Sequence, residues 1–138
     1  MKGFLLDTNV VSELRKAKPH GAVVAWLKSV SDEEIFLTAV TLGELQSGIE
    51  LTRVQDAKKA QEIELWADQL ANSMQVLAMD AVCFREWARL MHGKPDSLSE
   101  DAMIAATARV HGLTVATRNE SDFLSFGVQL LNPFLLTK

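Results

Sequence analysis

Along this chain apolar residues come in two spacings. Short unbroken runs suit strands buried on both faces, and one-sided stripes repeating every three or four residues suit helices. The segment Lys2 to Leu6 ends in Phe4-Leu5-Leu6 and stops at Asp7, which predicts a buried first strand. Val10, Val11 and Leu14 begin a helical pattern that stops by Pro19. His20 to Val30 is a second short helix whose stripe is Ala22, Val23, Trp26, Leu27 and Val30. Ile35-Phe36-Leu37 predicts the second strand.

From Thr41 a helix runs to about Arg53, and a polar helix covers roughly Asp56 to Asn72, with Ile63, Trp66, Ala67 and Leu70 at helical spacing. Val76 to Met79 reads as a brief strand. Ala81 to His92 is a helix with Phe84, Trp87, Ala88 and Met91 on one side. Gly93 to Ser99, containing Pro95, is a loop, and Ser99 to His111 is a helix closed by Gly112. Thr114 to Ala116 and Val128 to Leu131 supply the last strands. Strands separated by longer helices predict an α/β fold, a sandwich with a mostly parallel central sheet flanked by helices. With no internal repeat and no low-complexity linker, residues 1–138 read as one domain.

Composition adds little to this picture and excludes some classes. A chain of 138 residues, 48% hydrophobic and 23% charged, can bury about two-thirds of the surface its unfolded form exposes and has no signature of disorder. No apolar run is long enough to span a membrane, and Asp7 interrupts the only N-terminal run that resembles a leader. One cysteine cannot close an internal disulfide, which fits a reducing, cytoplasmic setting. The net charge of −4 argues weakly against a protein that grips nucleic acid by neutralising phosphates. It says nothing against cutting nucleic acid through metal ions held by those acids.

Four acidic segments carry the candidate chemistry. Asp7 follows the first strand, at the carboxyl edge where open α/β sheets place their ligands, although Asp7-Thr8-Asn9 equally suits a helix N-cap. Glu44, in Thr41-Leu42-Gly43-Glu44, has the spacing of a capping box in which the glutamate reaches back to the cap amide. Gly43 in that turn costs helix stability and would let other groups approach closely. Asp101 begins a helix, where acids suit the dipole, yet it shares a stripe with Ile104, Ala105 and Ala108, the face expected to pack inward. A carboxylate on a packed face is costly without compensation. Glu100 points elsewhere and reads as solvent-facing. The segment Thr117-Arg118-Asn119-Glu120-Ser121-Asp122-Phe123 again puts polar groups after a strand, with Asp122 able to cap the short turn that follows.

These segments would converge on one sheet edge. Two carboxylates about 4 Å apart repel by roughly 4 kcal/mol at an effective dielectric near 20, so such a cluster needs protons or a cation. Oxygen donors without His or Cys companions suit Mg²⁺ or Mn²⁺ better than zinc, and a hard ion there can activate water for phosphodiester cleavage.

Leu5-Leu6-Asp7-Thr8-Asn9-Val10-Val11-Ser12-Glu13-Leu14 resembles the opening motif of PIN-domain ribonucleases, in particular the VapC- or FitB-like toxins of type II toxin–antitoxin pairs. The resemblance continues through Thr41-Leu42-Gly43-Glu44-Leu45 and Asp101-Ala102-Met103-Ile104-Ala105-Ala106-Thr107-Ala108. It ends with His111-Gly112-Leu113, Thr117-Arg118-Asn119, Asp122-Phe123 and Leu131-Asn132-Pro133, so it spans essentially the whole chain. It implies a PIN-like three-layer sandwich and a Mg²⁺- or Mn²⁺-dependent endoribonuclease, with Asp7, Glu44 and Asp101 as metal ligands. Asn119 stands where the family often has a fourth acid. It brings no charge, and Asp122 is the nearest substitute, ranked below Asn119 for contact with the site. Thr8 and Thr117 match polar positions that orient carboxylates or water. The resemblance further implies a homodimer, a co-encoded antitoxin that blocks the site, and structured RNA substrates of the transfer or ribosomal class. The N-terminal helices and the Arg53–Trp66 region are expected contact surfaces. Arg15, Lys16, Lys18, Arg85, Arg89, Lys94 and Arg118 are available for phosphate contacts.

The remaining residues have structural readings. Cys83 is a small core or surface residue, His20, His92 and His111 sit at helix ends without a shared spacing, and Trp26, Trp66 and Trp87 lie on apolar stripes. Two other chemistries begin with a strand-end aspartate. A haloacid-dehalogenase-type phosphatase needs a second acid two residues on, where this chain has Asn9, and a phosphoacceptor receiver needs a lysine after a later strand, which Val115-Ala116-Thr117 does not offer. A PIN-like module that binds RNA or an antitoxin without cutting stays open because of Asn119.

Overall fold

The structure is a computed structural model that describes residues 3–136. The expected first strand is observed as β1 (Phe4–Leu6), and its expected start at Lys2 lies outside the described residues. The chain continues through α1 (Thr8–Glu13), α2 (Gly21–Ser29), β2 (Ile35–Thr38), α3 (Ala39–Gln55), α4 (Ala57–Ser73) and β3 (Gln75–Leu77). It then forms α5 (Ala81–Met91), α6 (Ser99–His111), β4 (Thr114–Ala116), α7 (Glu120–Phe123) and β5 (Leu130–Leu131). The third and fifth strands are shorter than the hydrophobic runs that announced them, because the sheet edges offer pairing to only part of each run.

The sheet order is β3-β2-β1-β4-β5, and every pairing is parallel. Leu5 lies opposite both Phe36 and Val115, and Leu6 opposite Ala116. The chain leaves the central β1 for β2 and β3 on one side and returns to β4 and β5 on the other. Such a reversal opens a crevice beyond the carboxyl ends of the central strands. The residues emerging there are Asp7, Thr38 and Thr117.

Alternation along β1 sends consecutive side chains to opposite faces. Leu6 joins Val10, Val11, Val23, Trp26, Leu37 and Leu70 on one face. Leu5 joins Ala102, Ile104, Ala105, Ala108, Val115, Phe123 and Phe126 on the other. The alanines of α6 are all fully buried, which lets that helix lie close to the sheet and carries Asp101 with it. At its far end Gly112 adopts φ 68°, the left-handed stop that a side chain would strain. Gly3 answers a different need. A Cβ there would lie 2.8 Å from a Leu113 methyl and 2.9 Å from the Phe36 ring, so any larger residue would make both side chains shift.

α3 and α4 fold back on each other with Asp56 as the single residue between them, burying Ile49 against Ala60 and Ala67. On α5 the inward stripe differs from expectation. Cys83 is buried and Trp87, Leu90 and Met91 pack on the core, whereas Phe84 is 44% exposed and Ala88 faces solvent. The helix is rotated so that Trp87 can donate its indole N–H to the Ser99 carbonyl at 3.0 Å, tying α5 to the start of α6.

Candidate active site

Asp7 is 5% exposed and leaves β1 with its backbone N–H donating to the Ala116 carbonyl at 2.9 Å. It is both the N-cap of α1 and part of the crevice, so the two readings of this position are compatible. Its Oδ1 accepts from the Thr8 N–H at 2.8 Å, and its Oδ2 accepts from the Thr117 hydroxyl at 2.7 Å and the Asn9 amide at 3.3 Å. Burial raises its pKa above the usual carboxylate value against the pull of those hydrogen bonds, and the Asp122 charge adds to the rise.

The capping-box reading of Glu44 is corrected. α3 starts at Ala39, not Thr41, and its N-cap is Thr38, whose hydroxyl accepts from the Thr41 N–H at 3.1 Å. That early start places Glu44 in the second turn, out of reach of the cap amide. Its Oε1 instead accepts from the Thr8 hydroxyl at 2.7 Å. Gly43 serves no close approach within the chain, since a Cβ there would meet nothing within 4 Å. Burial raises the Glu44 pKa, helped by the charges of Asp7 and Glu100.

Asp101 stands in the first turn of α6, half-buried, on the stripe with Ile104, Ala105 and Ala108. Burial is the main cause that pushes its pKa up to about 7, and Asp7, Asp122, Glu44 and Glu100 all push the same way. Hence carboxylates from β1, α3, α6 and α7 share one electrostatic neighbourhood. Among the described residues the charges acting on Asp7, Glu44 and Asp101 come from other acids.

Asn119 and Asp122 reach the site by different means. Asp122, inside α7, acts on both Asp7 and Asp101, whereas Asn119 is exposed and enters the network through its backbone N–H, which donates to the Thr117 hydroxyl at 2.9 Å. Asp122 does not cap the turn either, because α7 begins after Asn119 without a side-chain cap. Glu100 is solvent-exposed as expected, yet its charge reaches Glu44 and Asp101. Asn9 is a positioning residue the sequence reading passed over. Its amide donates to Asp7 and to the Thr117 hydroxyl at 3.3 Å, and its Oδ1 accepts from the Arg118 N–H at 3.1 Å. A polar side chain two residues after a strand-end aspartate, beside an adjacent parallel strand, was the available signal.

Among the described residues no three His, Cys, Asp or Glu side chains already stand around a common ion position. The donor chemistry nevertheless suits a hard divalent ion. It consists of mutually repelling carboxylate oxygens, with the Asp101 pKa pushed up to about 7. Asp7 and Glu44 are linked through Thr8, whose N–H donates to Asp7 and whose hydroxyl donates to Glu44. Beyond Glu44 a groove of about 540 Å³ runs between α3 and α6, lined by Val40, Leu51, Glu100 and Met103. A cavity of similar size, about 530 Å³, lies at the opposite edge of the sheet. There Arg109 is already committed to Glu86 at 2.8 Å and to the Gly127 carbonyl at 2.7 Å, so it offers no free reactive group.

Comparison with known proteins agrees with this arrangement. The family profile described as PIN domain matches residues 4–127. The chain is 37% identical to toxin FitB of Neisseria gonorrhoeae, covering 95% of this chain and 98% of that one. It is also 37% identical to a VapC ribonuclease of Sinorhizobium fredii, covering 95% and 97%. The crystal structure of FitAcB from Neisseria gonorrhoeae superposes with a TM-score of 0.84 at 35% identity, over 96% of this chain and 99% of that chain. With the profile, the relatives and the five-stranded parallel sheet in agreement, the chain belongs to the PIN domain family.

Proposed function

We propose that this chain is a Mg²⁺- or Mn²⁺-dependent endoribonuclease acting as the toxin of a toxin–antitoxin pair. The observation that carries the reading is the gathering of Asp7, Glu44 and Asp101 at one sheet edge, where burial and the neighbouring acids push the Asp101 pKa up to about 7. Asp7, Glu44 and Asp101 would hold the ion, with Asp122 adding charge. When bound, such an ion supplies Lewis-acid stabilisation of a phosphodiester under attack and lowers the pKa of water. The chain's own residues prepare the site. Thr8 fixes Glu44, Thr117 and Asn9 fix Asp7, and Asp101 gives up its proton as the cluster is neutralised.

The relatives named as a toxin and as a ribonuclease support the same reading. It includes a cognate antitoxin that covers the acidic edge, a homodimeric toxin, a structured RNA substrate of the transfer or ribosomal class, and a cytoplasmic site of action. Among the described residues no helix is long and apolar enough to cross a membrane.

The test is cleavage of RNA by the purified chain, freed of any partner, with Mg²⁺ or Mn²⁺. Asp7→Asn should abolish cleavage and EDTA should suppress it. Cleavage that survives both would remove the metal mechanism. Asn119, uncharged where the family often has an acid, favours a second reading, a module that binds RNA or antitoxin without cutting. It predicts RNA retention with no cleavage at any metal concentration.

A further inference from the structure

Arg118 lies one residue beyond Thr117, the partner of Asp7, yet its guanidinium does not enter the carboxylate cluster. It sits 3.9 Å above the centre of the Phe134 ring. The same ring meets His20 edge-on, with centroids 5.2 Å apart. The Arg118 backbone is held on both sides, its N–H donating to Asn9 Oδ1 at 3.1 Å and its carbonyl accepting from Asn132 at 3.5 Å. Among the described residues Arg118 forms no ion pair, and the side chain is exposed. An arginine stacked by its face keeps the N–H groups along its edge free and preordered for a bidentate anion.

The surroundings are cationic. The connection between α1 and α2 exposes Arg15, Lys16 and Lys18. Its buried acid, Glu13, accepts from Lys16 Nζ at 2.6 Å and from the His20 N–H at 2.8 Å, and the Arg118 charge also acts on it. Glu13 is thus held by Lys16 and lies within the field of Arg118. Three arginines elsewhere are committed to carboxylates, Arg53 to Glu50 and Glu64, and Arg89 and Arg109 to Glu86. In a chain of net charge −4, Arg118, Arg15, Lys16 and Lys18 thus place exposed cations on the segments that follow Thr117 and α1.

We infer that Arg118, braced by Phe134, is a substrate-positioning residue that seats an RNA backbone phosphate next to the scissile one, with Lys16 and its neighbours continuing the phosphate track. The inference rests on RNA being the substrate. Phosphate contacts of this kind fix register on the strand without reading sequence.

The test uses full-length Asp7→Asn protein in EDTA, so that binding is read without cleavage, and a fluorescein-labelled single-stranded RNA of mixed sequence. Adding Arg118→Ala should weaken binding about five- to tenfold and reduce the slope of log affinity against log salt by roughly 0.7, the value of one lost phosphate contact on a single strand. Phe134→Leu should weaken binding while keeping the slope, since the charge stays but loses its brace. Lys58→Gln, which removes a charge from the start of α4 far from this edge, should change neither. In the cleaving chain Arg118→Ala should raise KM more than it lowers kcat. Thermal melts separate this role from a structural one, and Lys16→Gln, on an exposed connection, tests the same strip if Arg118→Ala fails to fold.

An Asp7→Asn parent that binds RNA with a salt dependence unchanged by Arg118→Ala and Lys16→Gln would overturn the inference while leaving the ribonuclease reading intact. A parent that binds no RNA would remove both. If polyglutamate bound as tightly as the RNA and lost as much on Arg118→Ala, the strip would be a general polyanion surface and its assignment to RNA would fall.

Discussion

The Thr117 hydroxyl donates to Asp7 Oδ2 at 2.7 Å, joining the ends of two adjacent parallel strands by side chains 110 positions apart. Thr117 is fully buried, and its oxygen also accepts from the Asn9 amide and the Asn119 N–H. One hydroxyl therefore sets the direction of the best-buried carboxylate of the site and closes the loop after β4. Among the described residues no buried side-chain nitrogen or oxygen lacks a partner, so removing this one leaves orphans.

Replacing Thr117 with Val keeps the shape and removes the bond. The expected loss is about 1–3 kcal/mol of stability from buried groups left unpaired. RNA cleavage should fall further than folding does, and Thr117→Ser should recover most of both. Urea unfolding beside cleavage rates checks this, and unchanged unfolding would show that water replaces the hydroxyl.

Thr8 offers a cleaner separation of activity from stability. It is only partly buried and donates to Glu44 at 2.7 Å. Thr8→Val should leave the melting temperature nearly unchanged and lower Mn²⁺ affinity roughly 10- to 100-fold, as when the partner of a metal ligand is lost. Calorimetric titration with Mn²⁺ measures it.

The Asp101 carboxyl governs how stability without metal depends on pH. The native chain holds this proton up to about pH 7, whereas the unfolded chain releases it near 3.8. Between those values the native state binds more protons, so this group's contribution to stability falls as pH rises. Raised Asp7 and Glu44 act in the same direction. Lowered Glu13 and Glu86 act oppositely, losing their contribution as pH falls below the ordinary carboxyl range. In EDTA above neutrality Asp101→Asn should therefore stabilise the chain by about 1 kcal/mol, or roughly 3 °C in Tm for a domain of this size. The gain should shrink as pH falls and vanish near the unfolded value of 3.8. Mg²⁺ should raise the Tm of the parent only where Asp101 is ionised, because the ion competes with the proton.

Asp122 and Asn119 give opposite expectations. Asp122→Asn removes a charge felt by Asp7 and Asp101, so it should lower the pH at which Asp101 titrates and weaken Mn²⁺ binding several-fold. Asn119→Ala keeps the backbone N–H that binds Thr117 and should change metal binding little. Titration of the two variants side by side decides which position completes the site, and equal losses would return Asn119 to it.

Hydrophobic spacing determined much of this protein by itself. The buried run before Asp7, the stripes of α2 and α4 and the Gly112 stop are local patterns with one good solution each, and together they require an α/β fold. They also place Asp7 at a strand end and Asp101 on a packed face. Other features depend on groups distant in sequence. Glu44 looked like a capping residue because Thr41-x-x-Glu44 has that local form, and only the contact of Thr38 with Thr41 shows that α3 starts earlier and frees Glu44 for Thr8. Asn9 gains its role from the neighbouring end of β4. Asp122 acts on Asp7 and Asp101 from α7, and the α5 stripe is rotated to meet Ser99. Local sequence fixes hydrogen bonds and apolar faces within a few residues. Which carboxylates share a field, and which hydroxyl holds each one, is settled when strand order brings the ends of β1, β2 and β4 side by side.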